Sequence, residues 1–209
     1  MDALFRINEL IFTVLSKFFR FLLITLLWMV CSIPLFTLGA ATSALYDSAR
    51  RIRREDDAQL VRKFFAAFRL NFRQGTALTL FYAVLLALLY FDLAVCFRLP
   101  DTVASTMLAF VTLVALMTVI LMQYSFALLA GYHNSILQNL KNAFFLSFLK
   151  FGHSVLILLV TLLPFAALLL FTDFFLATLP VWPLVVTPAA VWLNSKIFSG
   201  AFSSLQRIP

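Results

Sequence analysis

The chain has 209 residues, 63% of them hydrophobic and only 12% charged, and this excludes a soluble globular protein, whose core needs a polar covering. Its net charge of +7 does not point to nucleic acid, because the Lys and Arg residues flank apolar runs as topology signals and contacts for anionic lipid. Cys31 and Cys96 lie inside apolar runs without CxxC or His-rich spacing, so they read as buried thiols, with no disulfide framework, metal or cofactor.

Residues 3–20 read as an amphipathic helix that collects Arg6, Glu9, Thr13, Ser16, Lys17 and Arg20 on one face. An apolar run follows at 21–36. Arg20, this run and the small residues Gly39, Ala40 and Ala41 imitate a cleavable signal peptide. Cleavage there would export eight Lys or Arg residues between Arg50 and Arg73, against the positive-inside rule, and is rejected. Both flanks of 21–36 therefore favour the same side. The expected resolution is that 21–36 crosses outward, Pro34 breaks the helix, and a helix starting near Thr37 returns inward. That return segment is nearly all small residues, which let helices approach closely inside lipid. A five-span chain with its N-terminus outside is the competing topology.

Residues 58–73 place Leu60, Val61, Phe64, Phe65, Phe68 and Phe72 on one helical face and Gln59, Arg62, Lys63, Arg69 and Arg73 on the other. This pattern predicts a helix lying in the headgroup layer. Spans are expected at 76–97 and 103–129, joined by a short turn around Leu99, Pro100 and Asp101. A weaker interfacial helix at 137–150 precedes spans at 153–172 and 176–198, joined near Asp173. Phe64, Phe65 and Phe68 recur 80 positions later as Phe144, Phe145 and Phe148, hinting at a repeated helix-plus-hairpin unit. The fold class expected is all-α: a polytopic transmembrane helical bundle of about five long spans plus a short small-residue helix, with amphipathic interfacial helices. It forms one integral membrane domain over 1–209, divided as 1–54, 55–130 and 131–209.

Of the 16 Lys and Arg residues, 15 fall in segments assigned to one side, and only Arg98 to the other. This asymmetry predicts a multi-pass protein of the bacterial cytoplasmic (inner) membrane with both termini cytoplasmic.

Few residues suggest chemistry. Thr37 and the free backbone groups beside it would form a helix N-terminus able to hold an anionic or hydroxyl-rich ligand, or else Thr37 simply caps the helix while Gly39, Ala40 and Ser43 permit close packing. Tyr46 would hydrogen-bond across the bundle or sit at the interface. Asp92 is the acidic residue deepest in an apolar run and so a functional candidate, near enough to Arg98 to pair with it. Gln123 and Asn194 read as interhelical hydrogen-bond partners. Arg50, Arg51, Arg53, Arg54, Arg62, Lys63, Phe64, Phe65, Phe68, Arg69 and Arg73 are expected to contact lipid or a partner. His133 and His153 carry no ligand pattern. HExxH, GxSxG and Walker A motifs do not occur, so no catalytic residues are assigned and a non-enzyme is expected.

The segment Pro34-Leu35-Phe36-Thr37-Leu38-Gly39-Ala40-Ala41, continuing through Ala44-Leu45-Tyr46, resembles the signature of the YesL-like family of bacterial integral membrane proteins. That resemblance implies a setting in carbohydrate utilisation and sugar transport, without a mechanism. The function expected is therefore an accessory or assembly partner of a carbohydrate uptake system, contacting a sugar-transporter permease or a second copy of itself. The alternative is a solute-binding transporter or channel subunit acting as an oligomer, and a membrane sensor using the 50–73 loop is a third class.

Overall fold

Polar backbone in lipid must satisfy its own N–H and C=O groups, and a chain this hydrophobic does so here with helices. The computed structural model describes residues 2–56, 58–98, 100–132, 134–170, 191, 193–196 and 198, which contain no strand. From Asp2 to Leu170 the described residues form, in order, α1 (Asp2–Cys31), α2 (Leu38–Arg53), α3 (Leu60–Cys96), α4 (Asp101–Leu129), α5 (Ile136–Leu149) and α6 (Phe151–Leu170), with a 3₁₀ turn at Leu35–Thr37. Three of the described helical segments are long and apolar enough to cross a membrane, Phe12–Cys31, Leu60–Cys96 and Val103–Leu129; the pair α5 and α6, bent by 101° at Lys150, raises the count to four if taken as one span. The expected span at 176–198 and the turn at Asp173 lie outside the described residues, apart from the six helical residues 191, 193–196 and 198.

Helix α1 ends just before Pro34, whose carbonyl accepts the Thr37 N–H at 2.9 Å, and α2 runs back beside α1. Lys17 meets Glu55 at 3.0 Å and Trp28 Nε1 donates to Thr42 Oγ1 at 3.1 Å, pairs that fit an antiparallel hairpin. At 16 residues, or about 24 Å, α2 is shorter than the roughly 30 Å hydrocarbon core. It is nonetheless the centre of the bundle. Eleven of its 16 residues are buried, packed chiefly against α3 and also against α1 and α4. A polar, small-residue helix is stable there because protein, not lipid, surrounds it.

Two expected interfacial helices are corrected. From Leu60 onward, residues 58–73 are the first part of α3, which continues unbroken to Cys96 over 37 residues, and 3–20 are continuous with the first span in α1. The reason is local. Nothing between 73 and 76 stops helix propagation, and Gly75 keeps its place in the ladder while its carbonyl takes a second bond from Thr79 Oγ1 at 2.8 Å. The buried positions of α3 are Leu60, Phe64, Asn71, Gly75, Leu78, Tyr82 and Cys96, and as far as Tyr82 they follow one another at four, seven, four, three and four residues along one seam. Residues 137–150 do form a separate helix, α5, turned sharply from α6. The two Phe trios consequently occupy different surroundings: Phe64 is fully buried, whereas Phe144 is 49% exposed.

Three apolar clusters fill the bundle. Phe21, Ile24, Leu45, Ile52 and Phe64 join α1, α2 and α3. Leu78, Tyr82, Phe126 and Leu129 join α3 and α4. Tyr46, Tyr124, Leu146, Ile157 and Phe198 tie α2 and α4 to α5, α6 and the C-terminal helical residues.

Candidate functional site

Two places bring sequence-predicted residues together. The first is the crossing of α2 over α3. Gly39 N–H, an unsatisfied donor of the first turn of α2, donates to Thr79 Oγ1 at 2.9 Å, and that hydroxyl donates to the Gly75 carbonyl at 2.8 Å. A side chain of α3 thus caps α2. Thr37 does not: its hydroxyl turns back to the Cys31 carbonyl at 2.5 Å and the Pro34 carbonyl at 2.7 Å, closing the end of α1. The helix N-terminus that could have held a ligand is therefore engaged within the protein. Ala40 is fully buried beside Gly75. One turn on, Ser43 Oγ accepts from Asn71 Nδ2 at 2.9 Å, again between α2 and α3.

Below this crossing, Tyr46 OH donates to Gln123 Oε1 at 3.2 Å, and Gln123 Nε2 donates to Thr161 Oγ1 at 3.1 Å. Asn194 is buried close to Tyr46, with its Oδ1 unpartnered among the described residues. Tyr46, Gln123 and Thr161, far apart in sequence, form one relay joining α2, α4 and α6. Asp92 stays apart from it, exposed near the end of α3. Among the described residues no ion pair joins Asp92 to Arg98.

The second place is the basic end of the bundle. Asp47, almost wholly buried, binds Arg50 Nη2 through Oδ1 and Arg51 Nε through Oδ2, each at 2.8 Å. Arg50 Nη2 also donates to the Ala130 carbonyl at 2.6 Å, at the C-terminal end of α4 where the helix dipole is negative. Arg51 Nη1 and Lys63 Nζ converge on Asp56, at 3.2 Å and 2.7 Å. The hydrogen bond to Asp47 raises Arg51 above its ordinary value. Burial, followed by the charges of Arg54 and Arg50, lowers Arg53. A pocket of about 510 Å³ opens here between α2, α3 and the end of α4, with Asp47, Arg50, Arg51 and Lys63 on its polar side and Ala66 and Leu70 among its apolar lining.

The remaining basic and aromatic candidates divide. Arg54, Arg62, Arg69 and Arg73 are exposed, as is Phe65, and Phe68 is half-buried, edge-on to Phe72. Phe64, expected at the lipid or partner surface, is corrected to a core residue, because it lies on the α3 seam that α2 covers. His153 is half-buried and His133 lies outside the described residues. Asp47, Gly75, Asn71 and Thr79 were not among the candidates. Only Asp47 left a signal: its spacing of three and four from Arg50 and Arg51 puts all three on one helix face.

A family model described as "Protein of unknown function, DUF624" matches residues 21–93. The chain is similar to that family over this stretch. The DUF624-like region takes in the end of α1, all of α2 and nearly all of α3, and so contains both the Gly39–Gly75 crossing and the Asp47, Arg50, Arg51 and Lys63 cluster. No curated protein and no solved structure matches the chain.

Proposed function

We propose that this protein is a non-enzymatic accessory or assembly subunit of a bacterial carbohydrate uptake system, resident in the cytoplasmic membrane with its basic end inside. The observation that carries the reading is the division of its surface. The signature residues Thr37, Gly39, Ala40 and Ser43 are spent on holding α2 inside the bundle, and polar groups of the spans bond to one another. Outward, α3 and α4 present large apolar side chains such as Phe81, Leu88, Phe91, Phe110 and Leu113, a surface that suits lipid or the spans of another membrane protein. The carbohydrate context comes from the YesL-like resemblance of the 34–46 segment.

The test is brief crosslinking in native membranes, purification in mild detergent and identification of what co-purifies in stoichiometric amount. A sugar-transport permease is expected. Recovery of a homo-oligomer that carries solute across liposomes overturns the accessory reading in favour of the transporter alternative, in which Asp92→Asn alters flux.

A further inference from the structure

The pocket at the basic end is more than a solvated charge run. Three cations, Arg50, Arg51 and Lys63, face it against one carboxylate, Asp47, and even with Asp56 at its rim the set keeps an excess positive charge. Its cations come from two helices and are held in place. Asp47 fixes Arg50 and Arg51 on α2, the Ala130 carbonyl steers Arg50 a second time, and Asp56 holds Lys63 of α3 near Arg51. Guanidinium groups positioned in this way offer paired donors to a tetrahedral oxyanion, and a lysine adds a point charge. Much of the remaining lining is apolar, with Ala66, Ala67, Leu70 and Leu129 beside Asn71 and Tyr132.

We infer that this pocket is a specific site for a phosphate group carried on a partly apolar molecule, with Arg51 and Lys63 as its gripping residues and Arg50 as its floor. The shared chemistry is a phosphate ester. It arrives as the headgroup of an anionic phospholipid entering from the bilayer, or as a small phosphorylated solute entering from the water. This site stands independently of the accessory reading, since it needs no protein partner.

The test uses the full-length protein in detergent and in nanodiscs. Native mass spectrometry measures retention of phosphatidylglycerol against phosphatidylcholine, and calorimetry measures binding of glycerol 3-phosphate and inorganic phosphate. Arg51→Gln and Lys63→Gln are each compared with Arg69→Gln, which removes the same charge from an exposed position outside the pocket. A lost charge-assisted hydrogen bond is expected to weaken binding about tenfold or more, whereas Arg69→Gln stays within about twofold because screened surface charge contributes little. Ala66→Trp, which fills the pocket without changing charge, decides the matter if either Gln variant melts early. Loss of phosphatidylglycerol alone assigns the headgroup, and loss of glycerol 3-phosphate binding assigns a soluble ester. If Arg69→Gln weakens binding as much as Lys63→Gln, if Ala66→Trp binds normally, or if no phosphate probe binds, the site is refuted.

Discussion

Gly39 and Gly75 meet where α2 crosses α3, so closely that a Cβ on Gly39 would lie 2.5 Å from the Gly75 carbonyl oxygen, and a Cβ on Gly75 would lie 2.5 Å from the Ala40 nitrogen. Backbone is the obstacle on both sides, and no rotamer change relieves it. Small residues at a helix crossing in lipid are valuable for this reason, since close approach is the main attraction available there.

Gly75→Ala is therefore expected to destabilise the protein by about 1–3 kcal/mol, the usual cost of overpacking a fixed backbone. Gly39→Leu is expected to prevent folding rather than partner assembly. Thermal unfolding in detergent checks both. A Gly75→Ala protein that melts with the wild type would mean that the helices do not cross at this distance.

Removing the Asp47 carboxylate takes from Arg50 and Arg51, each about one-third exposed, their shared partner and leaves Arg50 the Ala130 carbonyl and Arg51 the Asp56 carboxylate. Unpairing a fully buried ion costs about 3–5 kcal/mol, and the access of these guanidiniums to water reduces the expected loss for Asp47→Ala to about 1–2 kcal/mol. Asp47→Asn, which retains an acceptor, should lose less. Denaturant titration of the two variants measures the difference, and equal loss would show that the charge alone, and not the shape or acceptor that Asn keeps, carries the effect.

Tyr46→Phe leaves Gln123 Oε1 without its donor, yet the aromatic contact with Phe198, at 5.3 Å between ring centroids, is retained. Interhelical hydrogen bonds in membranes average about 0.6 kcal/mol, so a loss of that size is expected. This is smaller than for Gly75→Ala. A larger loss for Tyr46→Phe than for Gly75→Ala, in the same unfolding assay, would reverse the ranking of packing over polar contacts.

The connection between α2 and α3 should loosen in acid. The hydrogen bond from Lys63, then its charge, hold the Asp56 carboxyl below the ordinary 3.8, with Arg51 adding to both effects. Because the folded value is the lower one, the clamp is fully present above pH 3.8 and is lost as pH falls through the folded value. Hydrogen exchange over residues 54–60 should separate wild type from Asp56→Asn at about pH 5, and the gap should begin to narrow only as the pH falls below 3.8. Wild type and Asp56→Asn that exchange alike at about pH 5 would remove Asp56 from the clamp.

By itself the sequence determined the helical membrane class, the turn at Pro34, the return of the small-residue segment after it, and the gathering of basic residues around the 50–73 region. Each of these follows from near neighbours along the chain: apolar length, helix-breaking chemistry, local periodicity. Tertiary structure alone decided that 60–96 is one helix, that Phe64 faces the core while Phe65 faces out, and that Thr79, not Thr37, caps α2. It also decided that Tyr46, Gln123 and Thr161 share a hydrogen-bond relay, and that Lys63 and Arg51 line one pocket. Helical periodicity reveals that a face will be covered but carries no record of what covers it, and in lipid that choice rests on backbone approach and reciprocal hydrogen bonds between distant segments.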